Sequence, residues 1–186
     1  MANHGTFSGN PRTEWLEDPA QPDRDMQLLE DFFFIDPDGR KWPAPKGSVV
    51  DGASIPQPLW STVGSPYTDD YRRASVVHDV ACGTPGVVRK EADEMFYHAC
   101  LAGGCGALQA KILYAGVRIG AWSTKSLTTR SMSREVLLYR TVKEGPSPEV
   151  TFLQGKLAEI SRDMEALPEE ASIAQLDKVI KRHLKV

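Results

Sequence analysis

The sequence predicts a fold that is mainly α with a small β-hairpin (α+β): an antiparallel helix core followed by a C-terminal helical hairpin. Three observations predict it. Apolar residues recur at helical spacing in three consecutive segments between Tyr71 and Trp122. The pair Asp38-Gly39, which tolerates positive φ, lies between aromatic runs suited to strands. Two further apolar stripes follow Gly145, separated by Pro168.

Residues 1–25 are polar, and Pro11, Pro19 and Pro22 interrupt any regular pattern, so an extended arm is expected. Leu28 to Ile35 (LLEDFFFI), Pro37-Asp38-Gly39 and Lys41-Trp42 then read as the hairpin. Pro43 to Pro66 is rich in Pro, Gly and Ser and contains VVDGASIPQPLW, Val49 to Trp60. A long structureless stretch inside a compact domain is often functional.

Tyr71 to Cys82 places Ala74, Val77 and Ala81 on one helical face, with Asp69 or Asp70 as the expected cap. Arg89 to Ala102 aligns Ala92, Phe96 and Ala99 and stops at Gly103-Gly104. Ala107 to Trp122 aligns Leu108, Ile112, Ala115 and Ile119, and Gly116 and Gly120 leave a smooth surface for close packing. The short glycine turn makes the last two helices antiparallel. Glu135 to Lys143 reads as a short helix or a strand, and Gly145-Pro146-Ser147-Pro148 as a boundary. Leu153, Leu157, Ile160, Met164 and Leu167, then Ile173, Leu176, Ile180 and Leu184, form the two arms of a hairpin that docks on the domain or on another subunit. The expected organisation is an arm over 1–25, a core over 26–144 and the hairpin over 149–186.

The 22 basic and 25 acidic residues are spread along the chain and leave a net charge of -3, which gives no footprint for nucleic acid. No run of about 18 apolar residues occurs, and the N-terminus lacks a signal-peptide layout, so synthesis and folding in the cytoplasm are expected. Cys82, Cys100 and Cys105 match no common zinc spacing and read as buried or unbridged thiols.

His78-Asp79 interrupts an otherwise apolar helix, and Asp93 does the same on the next. Buried polar groups need partners. In an antiparallel pair of helices Asp93 can reach one nitrogen of His78 and fix its tautomer, leaving the other to take a proton from water. Asp79 points about 100° away from His78 around the helix and is better placed to meet Asp51 from the loop. Two carboxylates brought together call for a hard cation, calcium or magnesium. An HD-type phosphohydrolase would need more histidines than His4, His98 and His183 supply from their positions, and Gly52-Ala53-Ser54 is not a serine-hydrolase elbow.

The order Asp51-Gly52-Ala53-Ser54-Ile55-Pro56, His78-Asp79, Arg89 to Asp93 with Phe96-Tyr97, then Ala110 to Gly120, looks like the signature of an uncharacterised family of small phage and prophage proteins. It also resembles the bacterial and fungal branch of phospholipase A2, over about two fifths of the chain, Val49 to Trp122. That resemblance implies a phospholipase A2-like helix core with His78 as general base and Asp93 as its orienting partner. It further implies Asp51, Asp79 and the Gly52 carbonyl as ligands of Ca2+. Cys82 stands where the family has a Tyr that holds the second Asp, a role Tyr97 is positioned to take one turn beyond Asp93. Ala53 and Ser75 stand where the secreted enzymes have paired cysteines, so Ile55, Pro56, Leu59 and Trp60 must hold the loop by packing, unless Trp60 is instead an exposed membrane anchor.

The implied activity is calcium-assisted hydrolysis of acyl esters, of phospholipid at a membrane surface or another acyl ester, by a phage-associated lipid hydrolase. The alternative is a non-catalytic phage structural or assembly protein that keeps the scaffold and meets a phage particle or other protein partner through the C-terminal helices.

Overall fold

The chain is described by a computed structural model over residues 3–17, 25–53, 55–63, 70–127 and 148–184. Ser54, Asp69, the 135–143 segment and most of the 145–148 boundary lie outside the described residues. Among the described residues two small antiparallel sheets precede a 3-10 turn at Gln57–Leu59, a single helical turn at Trp60–Val63 and five longer helices. One sheet orders β1 (Thr6–Phe7), β4 (Phe32–Ile35) and β5 (Lys41–Ala44); the other orders β2 (Thr13–Trp15), β3 (Met26–Leu28) and β6 (Val49–Val50).

The expected hairpin is present as β4 and β5, with Phe32 opposite Ala44 and Phe34 opposite Trp42. Alternation sends those four side chains inward. The Asp36 carboxylate nucleates the turn, accepting the backbone N–H groups of Asp38 and Arg40 and the Trp42 Nε1–H at 2.8 Å. Gly39 supplies the positive φ, 84°. The N-terminal segment differs from a loose arm: Thr6–Phe7 pairs with β4 and Thr13–Trp15 with β3. Strands of two or three residues leave almost no periodic signal, and their pairing is set by distant partners.

Helices α1 (Arg72–Gly83) and α2 (Arg89–Gly103) follow the predicted spans to within a residue, and α3 (Ala107–Leu127) starts as predicted but runs past Trp122. The cap differs, since Tyr71 holds the N-cap position of α1 without a side-chain cap. Arg73 donates to the Gly103 carbonyl at one end of α1 while His78 meets Asp93 further along, so α1 and α2 run antiparallel. Tyr97 lies against Tyr114 and Asp93 against Arg118, which makes α2 and α3 antiparallel as well. No helix among the described residues is long and apolar enough to cross a membrane.

Helices α4 (Pro148–Glu165) and α5 (Ile173–Leu184) form the C-terminal hairpin, and they dock on this chain's own α3. Leu153, Leu157, Ile160, Met164, Leu176, Ile180 and Leu184 belong to the same apolar cluster as the α1–α3 core. The stripe expected to face the domain or another subunit is thus filled from within. Lys111, buried on α3, donates to the Leu167 and Pro168 carbonyls beyond the C-terminus of α4, where a cation offsets the exposed carbonyl dipoles.

Tyr114 on α3 donates to Asp177 on α5 at 2.7 Å, and Lys90 reaches the other Asp177 oxygen at 3.0 Å. Burial and the adjacent carboxylate both push the Tyr114 hydroxyl far above its ordinary pKa, so it is a fixed donor. Tyr114→Phe should therefore cost about 2 kcal/mol, the value of a hydrogen bond to a charged group, lowering the urea midpoint without changing the m-value.

Candidate functional site

His78 and Asp93 meet inside the α1–α2 interface, with Nε2 of the imidazole 2.8 Å from Asp93 Oδ1 and neither side chain exposed. Arg89, one turn before Asp93, donates its Nε–H to the same oxygen at 2.9 Å, and Arg118 of α3 donates to Oδ2 at 3.2 Å. One carboxylate thus ties three helices.

Burial is the largest influence on His78 and holds its pKa below 6.5, outweighing the opposing pull of the Asp93 hydrogen bond and charge. Burial alone would raise Asp93, but the His78 hydrogen bond and the Arg89 charge outweigh it and hold the carboxyl below its ordinary value. The consistent state is a neutral imidazole donating Nε2–H to an ionised carboxylate. Nδ1 then keeps its lone pair, which is the tautomer a general base needs.

Asp93's further bonds come from the two arginines. Tyr97, expected to replace the missing Tyr, instead packs edge-on against His98 and Tyr114, with ring centroids 5.4 and 5.9 Å away. The sequence analysis used Arg89 only as part of a motif and gave Arg118 no role. The available signal was the four-residue step from Arg89 to Asp93 and the presence of Arg118 among the apolar residues of α3.

Cys82 occupies the position one turn beyond His78, with Sγ 3.8 Å from Nδ1 and 3.5 Å from Nε2. Unlike the dyad it is only half-buried. The His78, Cys82 and Asp93 ligand atoms lie within 4.8 Å of one another, the span of a metal cluster. Charge argues against that use, because two guanidiniums already occupy the Asp93 oxygens and would repel a divalent ion.

Asp79 Oδ2 accepts the backbone N–H of Asp51 at 2.8 Å, so the Asp51–Ala53 segment is tied to the HD helix by a bond from its main chain to the Asp79 carboxylate. Gly52 is buried at φ 103°, a conformation that a side chain would strain. The loop is held by packing. Ile55 and Leu59 are buried, the half-buried Trp60 donates to the Ile55 carbonyl at 3.1 Å, and Gln154 of α4 donates to the Pro58 carbonyl. Ile55 seats on Gly116, where an added Cβ would come within 3.3 Å of three of its atoms. That is the use of the smooth surface on α3.

A separate open groove of about 820 Å³ lies between the Asp36–Trp42 turn, α2 and α5, with His98 and Asp177 in its wall. Neither His78 nor Asp93 lines it. His183 is also remote from the dyad, bonded to Asp163 at 2.9 Å.

Residues 26–117 match the family model described as Protein of unknown function (DUF1353). The chain carries a DUF1353 domain. That domain contains Asp51, Gly52, His78, Asp79, Cys82, Arg89, Asp93 and Tyr97, ends one residue before Arg118, and excludes α4 and α5. Two uncharacterized proteins of Sinorhizobium fredii (strain NBRC 101917 / NGR234) are similar. The protein y4jT is 42% identical over 113 residues, which is 61% of this chain and 33% of the relative. The protein y4iH is 41% identical over 90 residues, 48% of this chain and 38% of the relative. The chain thus spans well under half the length of these relatives. No solved structure matches. The matched descriptions state no activity, so the likeness to phospholipase A2 rests on the motif order alone.

Asp93→Asn leaves two guanidiniums facing a neutral amide and should cost about 3 kcal/mol or more in chemical denaturation at pH 7. Because the folded Asp93 carboxyl titrates below its ordinary value of 3.8, its contribution is complete above that value and is lost as pH falls through the folded pKa. The penalty of Asp93→Asn should accordingly shrink on acidification below about pH 4.

Proposed function

We propose that the chain is a phospholipase A2-like acyl-ester hydrolase in which the His78–Asp93 pair activates water. The observation that carries this reading is the buried imidazole with Nε2 committed to Asp93 and Nδ1 left as the basic nitrogen. Asp93, held by Arg89 and Arg118, would stabilise the imidazolium formed when Nδ1 takes the proton. His78 would return that proton to the leaving alcohol.

Asp51, Gly52 and Asp79 fit a hard cation by donor type, offering carboxylate and carbonyl oxygens on a loop and helix already joined by one hydrogen bond. No third acidic, His or Cys group joins the two carboxylates among the described residues, so the rest of the shell would be carbonyl and water. Such a site is expected to be weak. A calcium ion bound there would polarise the ester carbonyl and favour the developing oxyanion.

The second reading is a non-catalytic scaffold, associated with phage particles through the motif likeness noted above. One observation favours it: His78 and Asp93 are both fully buried, and Asp93 is saturated by arginines, as in a structural ion network.

Incubation with phosphatidylglycerol vesicles separates the two. Fatty acid release that requires calcium and falls at least about 100-fold in His78→Gln supports the hydrolase. Release that is unchanged in that variant overturns His78 as the base, and no release with calcium present leaves the scaffold. Asp79→Asn should weaken calcium binding in calorimetry while sparing thermal stability more than Asp93→Asn does.

A further inference from the structure

Helix α2 ends in a turn that sets two thiols against each other. The Cys105 N–H donates to the Cys100 carbonyl at 3.1 Å, the Gly104 N–H donates to the Leu101 carbonyl at 3.1 Å, and Gly104 is left-handed at φ 112°. These two bonds make a Schellman stop, in which the first and last residues of the motif come into side-chain contact. Here those residues are Cys100 and Cys105, both buried, and their thiols share a hydrogen bond. Any apolar pair would complete the motif. Two thiols add a chemistry, because sulfurs already in contact meet the first requirement of a disulfide, that the backbone need not travel to bring them together.

We propose that Cys100 and Cys105 are a peroxide-sensitive dithiol that closes into a disulfide across the turn between α2 and α3. Nothing in this assignment depends on the hydrolase reading. Cys105 is the residue a small oxidant meets first: it keeps 6% of its surface against none for Cys100, and its neighbours Gly104 and Gly106 are exposed and carry no side chain to cover it. Burial, and after it the bond to Cys105, push the Cys100 thiol well above its ordinary pKa, so Cys100 holds its proton while Cys105 reacts.

In the first step the Cys105 thiolate attacks one oxygen of hydrogen peroxide and the O–O bond breaks. The departing hydroxide takes up the proton that Cys105 lost, which leaves a sulfenic acid and one water. In the second step the Cys100 sulfur attacks the sulfenic sulfur as its S–O bond breaks, and the Cys100 proton leaves with that hydroxide as a second water. Two thiols lose two electrons, and the peroxide gains them.

Closure staples the end of α2 to the start of α3, the helices that carry Asp93 and Arg118. The start of α1 already rests on the same turn, where Arg73 donates to the Gly103 carbonyl at 3.3 Å and the Asp70 carbonyl leaves no room for a Cβ on Gly103. Cys82 is excluded from the pair. It sits beside His78 and Asp93, and Asp93 is about 10 Å along α2 from Cys100 at the helical rise per residue, beyond the reach of a disulfide.

The test uses the full chain, reduced, freed of reductant and treated with hydrogen peroxide. After catalase the chain is unfolded, alkylated with iodoacetamide and digested with trypsin, which leaves Cys100 and Cys105 on one peptide, Glu91 to Lys111, and Cys82 on another. Expected is an unalkylated Glu91–Lys111 peptide lighter by two hydrogens, restored by dithiothreitol and never linked to the Cys82 peptide. The same dose applied in urea should link the Cys82 peptide as well. Closure in the folded chain should raise the thermal midpoint by about 5 °C, and reduction should reverse the rise. Cys100→Ser should stop the reaction at a sulfenic acid on Cys105 that dimedone traps, and the parent chain decides the matter alone should that variant not fold. Both cysteines alkylated after a dose that closes the pair in urea would overturn the proposal. So would links to Cys82 in the folded chain, or closure that leaves the midpoint unchanged or lower, since the bond would then form only by displacing the turn.

Discussion

The fold depends on one buried carboxylate. Asp93 carries a full charge in a place without solvent, and an isolated carboxylate there would cost several kcal/mol. Three donors, from His78 on α1, Arg89 on α2 and Arg118 on α3, offset that cost, and they can do so in one helix register only. A slip of one residue along α2 turns Asp93 by about 100° and separates it from all but its own helix. The carboxylate therefore specifies the mutual rotation of three helices whose apolar faces, rich in alanine, would tolerate others.

Around that centre the second set of constraints belongs to the loop. Ile55 on Gly116, Leu59 in the core and the Trp60 hydrogen bond hold it in place without any covalent link. The C-terminal hairpin takes part through Gln154 and through the Tyr114–Asp177 bond. Helices outside the matched domain thus help to fix the loop inside it. The Arg118 charge also acts on Asp177, which links the dyad's support to the docking of α5.

What was legible in the sequence was local. Helices α1–α3 and the C-terminal pair declare themselves through spacing, and the Asp36–Gly39 turn through residues whose conformational preferences suffice alone. The His78–Asp93 contact was legible because an acid and an imidazole on apolar helices have few places to go. The β1 and β2 pairings were not, since Thr6–Phe7 and Thr13–Trp15 are too short for a period and are specified by distant strands. Arg89 and Arg118 were missed for a different reason: a long basic side chain looks solvated in sequence whether it ends in water or folds back onto a buried charge. The filling of the α4–α5 stripe by α3 was similarly open, because an apolar face does not name the surface that covers it.

Burial has opposite consequences for the two parts of the candidate site. It keeps His78 neutral and so makes it a base, but it also keeps bulk water from Nδ1. The half-buried Cys82 brings its sulfur to 3.5 Å from Nε2 and 3.8 Å from Nδ1 and so helps to cover the ring.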